Sequence, residues 1–263
     1  MVGIIRLLFF IFKLLVTFIQ IVNMILYKAI QTGNKNMIGY ILAFTSIVGG
    51  GMILNDKLYH REFKTIPTDE YTLICGHHNF KPIEVNMLST PHLLISGLSG
   101  QGKSRCLKAM LLNLQETKKA NIILMNAFKE DYKGVKARRV YGEQSMLSVI
   151  NHILEDKSWR KNPLYIVIEE LGIIKDKKLN EAIKDLLCTA RHYNIYVVGV
   201  IQIATKEECK FKSYFNARLT FRQLEDSAYR VILRCGIGDK ILNKQDFALV
   251  SDDLHFGRTY YIE

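Results

Sequence analysis

Eight residues constrain this chain more than any others. From Gly97 to Ser104 it reads Gly-Leu-Ser-Gly-Gln-Gly-Lys-Ser, a G-x-x-x-x-G-K-S spacing set between a short apolar run, Leu93 to Ile95, and a helix-forming segment, Arg105 to Gln115. Glycines let a backbone curl without Cβ clashes, so successive N–H groups can point inward at one anion. A helix that starts where the curl ends adds the positive end of its dipole. The spacing predicts a cradle for the polyphosphate of ATP, lined by Gly97, Leu98, Ser99, Gly100, Gln101, Gly102, Lys103, Ser104 and Arg105. Lys103 is placed to reach the β- and γ-phosphates, and the Ser104 hydroxyl to ligate Mg²⁺.

Binding is not hydrolysis, which also needs a metal-side acid and a group that activates water. Leu164 to Ile168 is a continuous apolar run that ends in Glu169-Glu170. Such runs are strands of a sheet covered on both faces, and sheets of that kind bind ligands at the carboxyl ends of their strands. Glu169 is therefore assigned to the Mg²⁺ shell and Glu170 to the nucleophilic water. Asn121 to Met125 and Ile195 to Ile201 are further buried runs, and Gln202, closing the second, is placed to orient water or sense the γ-phosphate. Helical spacing over Ser145 to Glu155 and Leu179 to Tyr193 alternates with these runs, predicting an α/β fold with a mostly parallel sheet.

Tyr71 to Cys75 and Ile83 to Val85 read as short strands joined by an exposed His77-His78-Asn79 turn, and Lys129 to Arg139 as loop and short helix. No third ligand stands at a metal spacing from the two histidines. Five cysteines are scattered singly, which favours reduced thiols over a disulfide framework.

Residues 1–55 differ in kind. Stretches 7–27 and 37–54 are apolar, the second without a charge, and each approaches the roughly 20 residues that cross a bilayer as a helix. A two-helix membrane hairpin is the expectation, followed by a linker over 56–70 and an ATPase domain over 71–263. An interfacial first helix, or a helix buried in a soluble core, stays open beside it. A cytosolic nucleotide site puts Arg6, Lys13, Lys57, Arg61 and Lys64 inside, in keeping with the positive-inside bias of a multi-pass protein of the cytoplasmic membrane. The formal net charge of +11 suits a nucleic acid or an anionic membrane surface without choosing between them.

The order of these motifs resembles the FtsK/SpoIIIE branch of the HerA–FtsK DNA-pumping ATPases, which are also related to conjugative coupling proteins and phage DNA-export ATPases. Pro91 to Gly97 is similar to that family's P-H-L-L-I-A-G lead-in, Ile123 to Lys129 to its I-D-P-K strand end, and Ile166 to Leu171 to its h-h-h-D-E-h. Thr189 to Gln202, Asn216 to Arg222, Asp226 to Leu233 and Asn243 to Leu249 follow in the family's order. The resemblance implies a RecA-like motor working as a homo-oligomeric ring, usually a hexamer, that threads DNA. It implies pore lysines, with Lys175, Lys177 and Lys178 after the glutamates and Lys206, Lys210 and Lys212 after Gln202 as candidates. Lys136, Arg138 and Arg139 form a second basic patch, and Arg191, Arg218 or Arg230 is a candidate for a charge supplied across a subunit boundary.

Glu169 stands where the family has Asp, and Asn126 where it has another Asp. With no winged helix before the end at Glu263, the expectation is a minimal motor of a plasmid, conjugative element or phage, served by a relaxase or by phage assembly proteins. Two functions follow: a membrane-anchored DNA translocase, and a membrane scaffold that binds nucleotide and recruits partners without pumping.

Overall fold

The computed structural model describes residues 61–156, 158–205 and 209–262. The expected membrane hairpin and Lys206 lie outside the described residues. Among those described, no helix is long and apolar enough to cross a membrane.

Ten strands form one sheet: β1 (Thr72–His78), β2 (Lys81–Asn86), β3 (Leu93–Ser96), β4 (Asn121–Met125), β5 (Arg138–Val140), β6 (Leu164–Ile168), β7 (Ile195–Val200), β8 (Ala217–Thr220), β9 (Asp246–Val250) and β10 (Leu254–Arg258), in the order β2-β1-β10-β9-β8-β3-β7-β6-β4-β5. From β8 to β5 the pairing is parallel; the other half, from β9 outward, is antiparallel. Among the described residues four α-helices accompany it: α1 (Lys103–Glu116), α2 (Glu143–Glu155), α3 (Lys177–Thr189) and α4 (Asp226–Leu233).

The apolar runs are continuous because both faces are covered. On one face Leu93, Ile95, Leu124, Val167 and Val198 join Leu107, Met110, Leu111 and Leu114 of α1. On the other, Met125, Ile166, Ile168 and Val197 join Met146 and Ile150 of α2, Ile183 and Leu186 of α3, and Ile232 of α4. Neighbouring residues of one strand thus serve opposite cores, each large side chain contributing about 1.5–3 kcal/mol by leaving water.

Several local expectations change. The 129–139 stretch holds turns and then β5, which pairs with β4 at Ile123 and Arg138, rather than a short helix. An edge strand can be polar, so its arginines hid it. His77 is no exposed turn residue: it lies within β1, 2% exposed, with Nδ1 2.9 Å from the Asn79 carbonyl and its ring 5.1 Å from that of Tyr260. The described part of the 56–70 linker is docked, the Ile66 N–H donating to Asn113 Oδ1 at 2.7 Å and the Phe63 N–H to the Tyr261 carbonyl at 2.8 Å.

Candidate functional site

β3 delivers the glycine loop to the middle of the parallel half. Its root is fixed by a buried polar group: Ser96 Oγ donates to Thr220 Oγ1 at 2.8 Å, and Gln223 Nε2 donates to both hydroxyls. The strand-end segment after β8 then walls the loop. Leu98 N–H donates to the Arg222 carbonyl at 3.1 Å, and Gln245 N–H to the Gln101 carbonyl at 2.9 Å. Gly97 has φ 143°, and a Cβ there would lie 2.6 Å from Phe221 Cβ, so no larger residue fits. Around Gly100, by contrast, a Cβ would meet nothing within 4 Å. α1 starts directly behind the loop, with neither a side-chain cap nor an acidic residue in its first turn. Its first amides are left for a ligand.

Lys103 folds back over the loop, donating from Nζ to the Gly97 carbonyl at 2.6 Å and to that of Leu98 at 3.1 Å. Burial lowers the pKa of its ammonium from the ordinary value, and the Glu169 carboxylate offsets part of that loss. Lys103 and Glu169 therefore face one another across the same strand edge. Glu169 is reached from β6 although β7 stands between β6 and β3 in the sheet. Burial raises its pKa, against the hydrogen bond from Tyr132 and the charge of Lys103.

Tyr132 was not legible in the sequence as a site residue. Its hydroxyl hydrogen-bonds Glu169 Oε1, the Ser104 side chain acts on the same phenol, and the ring is fully buried. Ser104 and Glu169, the expected metal ligands, are thus neighbours, and their hard oxygens suit Mg²⁺. The residues present fit the group. Only the oxygen-rich run after β4, with Asp131 beside Tyr132, carried a hint.

Glu170 follows at φ 57°, a left-handed turn shared by Asn126 at the end of β4. Non-glycine residues reach that region at a cost, which concentrates at functional sites. Gln202, just past β7, makes a weak 3.4 Å bond from Nε2 to Glu170 Oε1. The loop, both glutamates and Gln202 share one edge, and the burial of Lys103 and Glu169 makes their charges act more strongly than in water.

The basic candidates divide. Lys175, Lys177 and Lys178 are exposed at the start of α3, whose cap is Asp176, accepting from Leu179 N–H at 2.9 Å. Lys210 ties the two strand-end loops together, donating to the Ile174 carbonyl at 3.0 Å, and burial lowers its pKa. Lys212 opens a short 3₁₀ turn. Of the second patch, Lys136 and Arg138 are exposed while Arg139 Nη2 bonds the Tyr132 carbonyl at 3.2 Å. Arg191 and Arg230 are exposed, whereas Arg218 is buried and bonded to carbonyls of its own domain. Among the described residues no group of His, Cys, Asp and Glu makes a metal cluster of its own.

No protein-family model matches the chain, and no curated protein does. Solved structures do. The conjugation coupling protein TcpA of pCW3, in a monomer form with ATPγS, matches with a TM-score of 0.67 at 15% identity, over 79% of this chain and 70% of that one. The cytoplasmic domain of the type VII secretion ATPase EccC of Thermomonospora curvata matches at 0.62 and 14%, over 78% of this chain but 28% of that one. EssC (ATPases 2 and 3) of Geobacillus thermodenitrificans matches at 0.58 and 16%, over 81% and 44%. At these identities the likeness shows a common fold, and it is the fold expected from the motif order.

Proposed function

We propose that the chain is an ATP-driven DNA translocase, anchored in the cytoplasmic membrane by its N-terminal hairpin and working as a homo-oligomeric ring. The observation that carries the reading is the meeting of Lys103, Ser104, Glu169 and Glu170 on one strand edge around an uncapped helix start. Lys103 releases the loop carbonyls to bind the β- and γ-phosphates, and the loop amides hold the remaining oxygens. Ser104 and Glu169 would hold Mg²⁺, which when bound would offset the charge of the phosphates. Glu170, oriented by Gln202, accepts a proton from the attacking water.

Transfer of mobile-element DNA is the favoured context, since the coupling protein TcpA shares the fold; phage DNA export is its neighbour. Lysines at the start of α3 support a DNA contact. Like charges beside a helix N-terminus are unfavourable by about 0.3–1 kcal/mol each unless an anion joins them. The test is ATP turnover by the full chain in detergent, with and without double-stranded DNA. We expect DNA to stimulate hydrolysis and Glu170→Gln to remove it, about a thousandfold, while ATP binding persists. Nucleotide binding without any stimulation would instead identify a scaffold, a reading favoured by Glu169 being held by the Tyr132 hydroxyl.

A further inference from the structure

At the far end of the parallel strands from the glycine loop, a cavity of about 330 Å³ opens between the approach to β3, the start of β8 and the end of α4. Ser89, Ser213, Asn216, Arg218, Arg234 and Asp252 line it. Arg218, the second residue of β8, is 4% exposed. Its Nε donates to the Phe215 carbonyl at 3.2 Å and its Nη1 to the Ile232 carbonyl at 3.1 Å, so it caps the last turn of α4. Among the described residues no carboxylate pairs with it, Asp252 included, and Nη2 has no acceptor. Arg234, a charge of its own sign, lines the same cavity and acts on it as well.

A guanidinium cannot shed its proton in a protein, and a buried charge without a counterion is destabilising. Carbonyl dipoles and a helix C-terminus compensate one cation in part. They do not explain a second arginine beside it, in an open cavity whose lining sets serines and an asparagine alongside the single Asp252 carboxylate. Two guanidinium groups with donors on several sides match a tetrahedral oxyanion better than a flat carboxylate.

We propose that this cavity is a second anion site, separate from the nucleotide cradle, which takes a phosphate group between Arg218 and Arg234. The group is either a free phosphate or a phosphodiester of a nucleic-acid backbone; the recognition chemistry is the same. The assignment does not depend on ATP hydrolysis at the glycine loop.

The test uses the full chain in detergent on a Lys103→Ala background, which weakens anion binding at the cradle. Inorganic phosphate is titrated calorimetrically, and a short DNA duplex by fluorescence anisotropy. Arg234 is exposed and outside the core, so Arg234→Ala spares the fold, as an unchanged unfolding midpoint will verify. We expect it to weaken one of the two ligands about tenfold, with Arg218→Lys doing the same through loss of the two-pronged contact. Weakening of inorganic phosphate marks a free-phosphate site. Weakening of the duplex alone, with a salt slope shallower by about one, marks a backbone phosphodiester. If neither ligand loses affinity in the folded Arg234→Ala protein, there is no anion site here and Arg218 serves only as a helix cap.

Discussion

Tyr132 hydrogen-bonds Glu169 and lies beside Ser104, and both are groups that the nucleotide reading assigns to the metal. Outer hydrogen bonds of this kind commonly set metal affinity by about 10–100-fold. Tyr132→Phe is therefore expected to raise the Mn²⁺ concentration needed to fill the site with ATPγS by about tenfold, read by electron paramagnetic resonance. An unchanged titration would reduce the phenol to core packing. A second residue-scale consequence concerns His92, 3% exposed, whose Nδ1 accepts from Val197 N–H at 2.9 Å. Burial lowers its pKa from 6.5 to about 4, against a hydrogen bond to the Leu187 backbone. Below the ordinary value the unfolded chain binds a proton that the folded chain refuses, so stability falls as pH drops from 6.5 toward 4 and levels off beneath. The drop from this group is about 3 kcal/mol. Urea unfolding at stepwise lower pH should show it, and His92→Gln, which keeps an acceptor but cannot titrate, should flatten the curve.

Among the elements, α3 combines a good cap with two adverse charges. Asp176 satisfies the Leu179 N–H, while Lys177 and Lys178 occupy the first turn, where the dipole disfavours cations. Exchanging both for glutamate should stabilise the domain by about 0.5–2 kcal/mol in thermal unfolding. The same exchange should weaken duplex binding and flatten its salt dependence by about two counterions. A stabilised protein with undiminished DNA affinity would place the DNA elsewhere. The glycine loop shows the converse economy: β8 and the turn before β9 supply its walls, so a four-residue strand with no catalytic group of its own decides the cradle's shape.

For the whole molecule, the strand edge that carries the site also exposes large apolar side chains. Phe128 follows β4, Ile173 follows β6, Ile203 follows β7 and Leu224 follows β8. Leu224 is 81% and Phe128 72% exposed. A repeated apolar rim beside charged chemistry marks an interaction surface, and the proposed ring would set it between copies. Leu224→Glu with Phe128→Glu should shift the full chain in detergent toward single protomers by light scattering and abolish DNA-stimulated turnover. ATP binding by each protomer should survive. Intact assembly in that variant would move the interface to another face.

Features that depend on residues close in the chain were legible beforehand. The glycine spacing, the apolar runs of β3, β4, β6 and β7, and the carboxylates at the end of β6 follow from local sterics and from burial on both faces of a strand. What required the tertiary structure was order and reach. β7 lies between β3 and β6, which brings Gln202 to Glu170; the phenol of Tyr132 returns to Glu169 from the segment after β4; Arg218 turns into a cavity instead of outward. β8, β9 and β10 are runs of four or five residues, too short to show a period by themselves. Pairing between segments far apart in sequence is chosen by shared hydrogen bonds and shared burial, and those exist only once the sheet has closed around them.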